Sequence, residues 1–86
     1  MKKLWVDFQN AGHDGVRLIC NGTISELKEK GIELKGGLQL LIWSEDYDDN
    51  DNPDNLSVEA IVKYSHSDRC WVAQFDYEKL KNESNK

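Results

Sequence analysis

Long apolar runs are missing from this sequence of 86 residues. The longest spans residues 40–43, far below the ~20 apolar residues that a membrane-spanning helix requires. The chain starts with basic residues, but Asp7 interrupts the apolar stretch that follows them, so no export signal develops. We therefore expect a cytoplasmic protein that makes no contact with a membrane.

Cysteine is also scarce, with Cys20 and Cys70 as its two occurrences. Two thiols suit a reducing compartment, where they remain small packed side chains more often than they form a bridge. Length sets a further limit, because each half of the chain would approach the ~40-residue size below which a core rarely folds unaided. We predict a single small domain over residues 1–86, with too little core to enclose a deep substrate cavity.

Motifs for catalysis and cofactor binding are lacking as well. Gly36 and Gly37 precede a strand, without the lysine and the helix that a phosphate-binding loop needs. General acid and base catalysis by two carboxyl groups needs an apolar environment that raises the pKa of one of them. The carboxylates of this chain cluster on a loop, where no such environment is expected. We expect no catalytic residue, no cofactor and no metal ligand; a minor subunit or domain of an enzyme is an alternative.

Basic residues are absent from residues 45–54, which carry six carboxylates: Glu45, Asp46, Asp48, Asp49, Asp51 and Asp54. The chain has 11 basic and 16 acidic side chains, so the remainder carries 11 basic and 10 acidic ones and is nearly neutral. Like charges this close repel one another and cannot be buried unpaired, so residues 45–55 should form a solvated acidic loop. Its five aspartates are candidate contacts for a protein partner of unknown identity, and a basic partner is the natural complement.

The acidic loop also allows a metal hypothesis. A calcium-loop register begins at Asp48 and continues through Asn50, Asn52, Asp54 and Glu59. It fails at the sixth position, where glycine is needed for positive φ and Pro53 stands. A zinc site would have to gather four residues with poor spacing: His13, Cys20, His66 and Cys70. A calcium- or zinc-binding domain is therefore kept as an alternative.

Alternation of apolar and polar residues predicts five strands, at residues 3–9, 16–21, 38–43, 56–64 and 70–77. The first two should form a hairpin. Thr23 and Glu26 are spaced as a capping box, and Gly31 falls at the left-handed position that ends a helix. A short helix is therefore expected over residues 24–30, after the second strand.

Beyond the last strand the chain is polar. Asp76 should cap a helical turn, and residues 82–86 should form a frayed tail.

Five short strands and one helix are too few for a two-sheet sandwich. We predict a mainly β fold bordering on α+β, either a small five-stranded antiparallel SH3-like barrel or a strongly bent, open antiparallel sheet that carries the helix on one face. Residues 31–40 resemble the glycine followed by Leu-x-Leu that begins a strand in many SH3-like barrels. That resemblance supports the architecture and implies no function.

Trp5 lies opposite Leu4 and Val6 in the alternation of its strand. If it is exposed it marks a contact surface, and if the sheet curls around it, it joins the core, the commoner place for tryptophan. We keep it as a sixth candidate contact. Lysines and arginines are dispersed and the acidic loop repels phosphates, so no nucleic acid partner is expected. The sequence as a whole predicts a non-catalytic protein-interaction module.

Overall fold

The computed structural model describes residues 1–85. Over these residues the protein is mainly β, as predicted, with one α-helix and a mixed sheet of six strands. The strands are β1 (Lys2–Trp5), β2 (Val16–Arg17), β3 (Gln39–Ser44), β4 (Leu56–Ser65), β5 (Cys70–Gln74) and β6 (Lys81–Asn82). Helix α1 spans Asn21–Lys30, and short 3-10 helices cover Phe8–Asn10, Tyr77–Lys79 and Glu83–Asn85.

The sheet is open and has the strand order β1-β3-β4-β5-β2, with β6 beside β4. Strand β1 runs parallel to β3, and the other pairs are antiparallel. Strands β1 and β2 stand at the two ends of this order and do not pair with each other, and β6 has β4 as its single neighbour. The predicted SH3-like barrel is therefore not confirmed, and the hairpin between the first two strands is wrong. The sheet is open, as in the second predicted architecture, but it is mixed instead of antiparallel.

The chain turns away from that hairpin directly after β1. Asp7 caps a 3-10 helix: its Oδ1 accepts from the backbone N–H of Gln9 at 2.9 Å, and its carbonyl accepts from that of Asn10 at 2.9 Å. This tight turn ends the first strand at Trp5 instead of residue 9. The second strand then forms at the far edge of the sheet and keeps two residues of the predicted six.

One face of the sheet carries the core. Its buried residues from the strands are Leu4, Val16, Leu40, Ile42, Val58, Ala60, Val62 and Ala73. The register places Leu40 opposite Ala60 and Ile42 opposite Val58, so the alternation read from each strand brings the apolar side chains together. Segments outside these strands cover this face with further apolar side chains, among them Phe8, Leu18, Leu27, Ile32 and Leu34.

Helix α1 ends as predicted at Gly31, whose φ is 63°. The backbone N–H of Gly31 donates to the carbonyl of Lys28 at 3.3 Å, and that of Ile32 donates to the carbonyl of Leu27 at 2.9 Å. This pair of bonds is a Schellman motif. It directs Ile32 into the core, where it is buried.

The last part of the chain differs in part from the prediction. Asp76 does cap a turn, because its Oδ1 accepts from the backbone N–H of Glu78 at 3.0 Å. Strand β5, however, ends at Gln74 instead of residue 77. Where a frayed tail was expected over residues 82–86, Lys81–Asn82 forms a strand on β4 and a 3-10 turn follows it. Residue 86 lies outside the described part of the chain.

Candidate functional site

Helix α1 closes the outer edge of β1 with side chains. The hydroxyl Oγ1 of Thr23, a fully buried residue, donates to the carbonyl of Trp5 at 2.8 Å. Glu26 Oε2 accepts from the backbone N–H of Trp5 at 2.9 Å, and Lys30 Nζ donates to the carbonyl of Lys3 at 2.8 Å. Positions 23, 26 and 30 share one helix face, so this face satisfies backbone groups that an edge strand would otherwise leave unpaired.

These contacts replace the predicted capping box. The helix begins at Asn21, earlier than the expected residue 24, and the side chain of its N-cap Cys20 accepts no hydrogen bond from the backbone N–H groups of the helix. Thr23 and Glu26 therefore lie within the helix and bond to β1 instead of to the helix amides. The reason is energetic. Leaving the partly buried backbone groups of Trp5 unpaired would cost more free energy than leaving the first N–H groups of the helix to bond with water.

The indole of Trp5 forms one wall of an open groove between β1, α1 and β3. Its Nε1–H donates to Glu45 Oε2 at 2.7 Å. Its ring lies tightly against Gly22, where an added methyl group would come within 2.8 Å of Cζ3. Trp43 pairs with Trp5 in the sheet register and also lines the groove. Trp5 is thus half-buried and held in place. It is neither fully exposed nor part of the core, the two alternatives that the sequence allowed.

The groove has a volume of about 430 Å³, within the usual range for ligand sites, and carries a negative charge. Its lining residues are Trp5, Gly22, Ser25, Glu26, Glu29, Lys30, Trp43 and Glu45, with three carboxylates against one ammonium group. Lys30 forms an ion pair with Glu26, whose other oxygen holds β1, so both of these charges are engaged. The side chain of Glu29 is exposed and forms no hydrogen bond or ion pair within residues 1–85.

The acidic loop follows Glu45 and folds into a compact turn. Tyr47 and Pro53 face each other across it as an isolated β-bridge. Asp48 organises the tip, because its Oδ1 accepts from the backbone N–H groups of Asn50 at 2.8 Å and Asn52 at 2.9 Å. Asp51 completes the turn in the left-handed region, with a φ of 60°. Residues 47–53 of the loop are exposed, and side chains of the loop itself hold its backbone.

The C-terminal segment holds the base of the loop. Asn82 Nδ2 donates to Asp46 Oδ2 at 2.8 Å and to the carbonyl of Asp54 at 2.7 Å. The carboxylate of Asp54 accepts from both the backbone N–H of Ser84 at 3.0 Å and its hydroxyl at 2.6 Å. Asp46 and Asp54 therefore hold the C-terminal segment, and with Asp48 three of the five aspartates form internal hydrogen bonds through their side chains.

Hydrogen bonds hold the pKa of two loop aspartates below the ordinary value of about 3.9. For Asp46 the main cause is the side-chain amide of Asn82, followed by the backbone N–H of Tyr47. For Asp48 the causes are the backbone N–H groups of Asn52 and Asn50. Both pKa shifts keep these carboxylates charged to lower pH than a free aspartate.

Asp49 and Asp51 remain as exposed charges without an internal partner within residues 1–85. The ion pairs formed by the described residues are Lys3 with Glu83 and Lys30 with Glu26. Neither reaches the acidic loop. Its negative charge is therefore not neutralised by the protein's own lysines or arginines in the described part of the chain.

Among the described residues, no cysteine or histidine lines the groove. Cys20 Sγ contacts Thr23 Oγ1 at 2.9 Å, whereas the ring of His66 packs edge-on against Tyr64, with ring centroids 5.1 Å apart. Burial raises the pKa of the Cys70 thiol, and the charge of Asp68 adds to this rise. Among residues 1–85 no three His, Cys, Asp or Glu side chains are grouped as a metal ion would require.

The sequence indicates Trp5 and the five aspartates as candidate contacts, but it does not indicate the other residues that line the groove. Glu29 is one charge among several on a helix, and Trp43 reads as the end of a buried strand. The parallel pairing of β1 with β3, which places Trp5 beside Trp43, is the signal that would have identified these residues as one site. That pairing depends on contacts distant in sequence.

Comparison with known proteins adds no relative, since no family model, no curated protein and no solved structure matches the chain. None of the described helices has the length and apolar character to cross a membrane. The groove and the acidic loop are therefore the features of the structure that bear on function.

Proposed function

We propose that this chain is a non-catalytic protein-interaction module that binds a basic partner through its acidic loop. The contact residues are Trp5 and the five loop aspartates, with Asp49 and Asp51 at the exposed tip. We also infer a cytoplasmic location, supported by the two free cysteines, which suit a reducing compartment.

The observation that carries this proposal is an ordered and exposed set of carboxylates without internal counter-charges. A loop whose backbone is fixed by Asp48 and Asn82 presents its charges in one arrangement, so little conformational entropy is lost when a partner binds. Complementary charges at the rim of an interface accelerate encounter and set specificity. A surface of this kind suits lysine- and arginine-rich segments.

Neutralising the loop tip tests the proposal. Asp49→Asn with Asp51→Asn removes two charges and keeps the turn, because asparagine tolerates the left-handed φ of residue 51. The probe is a fluorescein-labelled peptide of four Gly-Arg repeats, with binding followed by fluorescence anisotropy. We expect affinity to fall by roughly two- to tenfold at low salt, as for the loss of exposed ion pairs. The difference should shrink as NaCl rises and screens these charges.

The matched control is Glu33→Gln with Glu78→Gln, which changes the net charge equally at two exposed positions outside the loop and the groove. This variant should bind the peptide as the natural chain does. Equal weakening in both variants would show that only the net charge matters. Full binding by the loop variant would reject the proposal.

A further inference from the structure

We propose that the groove between β1, α1 and β3 is a receptor for one arginine side chain of the basic partner. This inference rests on the proposed function and extends it by naming the group that is recognised. It is carried by three features of the groove: two indoles, a net negative charge, and its position next to the acidic loop.

The indoles provide a fixed aromatic surface. Trp5 is held through its backbone by Thr23 and Glu26, and through its Nε1–H by Glu45. Trp43 stands beside it, and within residues 1–85 the two rings form no ring-to-ring contact. The rings are therefore available to a group that enters the groove, and indole is the best aromatic partner for a cation.

The carboxylates give the groove its preference for a cation. Glu26 is fully engaged, whereas Glu29 has no partner within the described chain and Glu45 uses one oxygen for the indole of Trp5. A cation in the groove thus meets one free carboxylate and the second oxygen of another. Lys30 is paired with Glu26 and also donates to the carbonyl of Lys3. It therefore does not neutralise the carboxylates of Glu29 and Glu45.

Arginine satisfies both features better than lysine does. Its planar guanidinium stacks on an aromatic ring while its five N–H donors reach carboxylates in the ring's neighbourhood. A lysine ammonium is a compact and strongly hydrated charge that gains less from stacking. The groove is open, so the long side chain enters from solvent without a change in the backbone.

The position of Glu45 links the groove to the loop. Glu45 lines the groove and is also the first carboxylate of the acidic run, and Asp46 follows it at the base of the loop. A basic segment whose arginine occupies the groove would therefore place its neighbouring cations along the loop. The two surfaces act as one site.

Indole resonances in a ¹H–¹⁵N spectrum test this inference on the whole chain. The three tryptophans of the sequence give three Nε1–H signals, of which Trp5 and Trp43 belong to the groove. Trp71 packs against Tyr64 with ring centroids 5.4 Å apart and does not line the groove, so it is an internal control. N-acetyl-arginine methylamide should shift the signals of Trp5 and Trp43 saturably and leave Trp71 unchanged. N-acetyl-lysine methylamide should bind at least threefold more weakly.

Two variants separate the aromatic contribution from the charge. Gly22→Ala places a methyl group 2.8 Å from the indole of Trp5, so the ring must move and the arginine-induced shifts should be lost. Glu29→Gln alters an exposed side chain and should weaken arginine binding about two- to fivefold, as for one exposed ion pair. Glu33→Gln, also exposed and outside the groove, should have no effect.

The outcomes distinguish this inference from the proposed function. If the Gly-Arg peptide binds through the loop but the arginine compound shifts neither Trp5 nor Trp43, the groove proposal is wrong and the interaction module stands. If the arginine compound shifts both indoles but peptide binding ignores the loop aspartates, the groove stands and the proposed use of the loop fails. Equal shifts of all three indoles, or equal affinity for arginine and lysine, would overturn the groove proposal.

Discussion

Thr23 connects the helix to the sheet through a single hydroxyl group. Thr23→Val keeps the shape of this buried side chain and removes the donor to the carbonyl of Trp5. We expect the free energy of unfolding to fall by about 1–3 kcal/mol, the cost of leaving a buried polar group unpaired. Urea denaturation followed by tryptophan fluorescence measures this change.

Thr23→Ser serves as the comparison, because it keeps the hydroxyl and loses one buried methyl group. It should cost about 1 kcal/mol from that loss. The indole signal of Trp5 should stay in place in the serine variant and move in the valine variant, since only the latter loses the hydroxyl contact to the carbonyl of Trp5. A valine variant as stable as the natural chain would show that the hydroxyl is dispensable.

The same residues show why the helix start was mispredicted. The Thr23 and Glu26 spacing fits a capping box, and local sequence contains nothing against it. The competing demand comes from Trp5, whose backbone groups need partners once β1 becomes an edge strand. That demand depends on the fold as a whole, whereas the helix end at Gly31 depends on local backbone geometry and was predicted correctly.

At the scale of elements, the acidic loop and the C-terminal segment stabilise each other through Asn82. Asn82→Ala removes the donor to Asp46, so the pKa of Asp46 should rise toward the ordinary value. Because this pKa is lower in the folded state than in the unfolded state, the carboxylate contributes stability that is present above about pH 3.9 and lost as the pH falls through its folded-state pKa. The variant should therefore be less stable at neutral pH and lose less stability on acidification.

Carboxyl-detected NMR titration and urea denaturation between neutral and acidic pH check both expectations. Ser84→Ala is the comparison, because it removes a hydroxyl donor to Asp54 and leaves the bond between Asn82 and Asp46 intact. It should leave the pKa of Asp46 unchanged. An Asp46 that titrates alike in the natural chain and in Asn82→Ala would contradict the role assigned to this contact.

Most strands could be predicted from the sequence, but which strands pair with one another in the sheet could not. Alternation is a local signal, and it located β3, β4 and β5 because their apolar residues face one core. The shortest strands, β2 and β6, have two residues each and owe their form to their partners. The loop aspartates could be proposed as contacts from composition, because composition is a local signal. The groove could not be predicted in this way, because it depends on the pairing of β1 with β3.

The whole molecule is dominated by pairings that are distant in sequence. Lys2 pairs with Leu40, and Val16 pairs with Ala73, so long loops must close before either edge strand forms. We expect refolding to take roughly milliseconds to seconds, as for domains rich in non-local contacts. Stopped-flow dilution from urea with tryptophan fluorescence measures this rate. Refolding complete within microseconds would contradict the strand order described here.

The attachment of α1 to β1 by three side chains also bears on self-association. A helix held this way can lift off in a local opening that leaves the strand ladder of the sheet intact. The bared edge at Lys3 and Trp5 would then template a strand from a second molecule, the first step toward an ordered aggregate. In warm or concentrated solution the helix therefore protects the edge of β1 from pairing with a strand of another molecule.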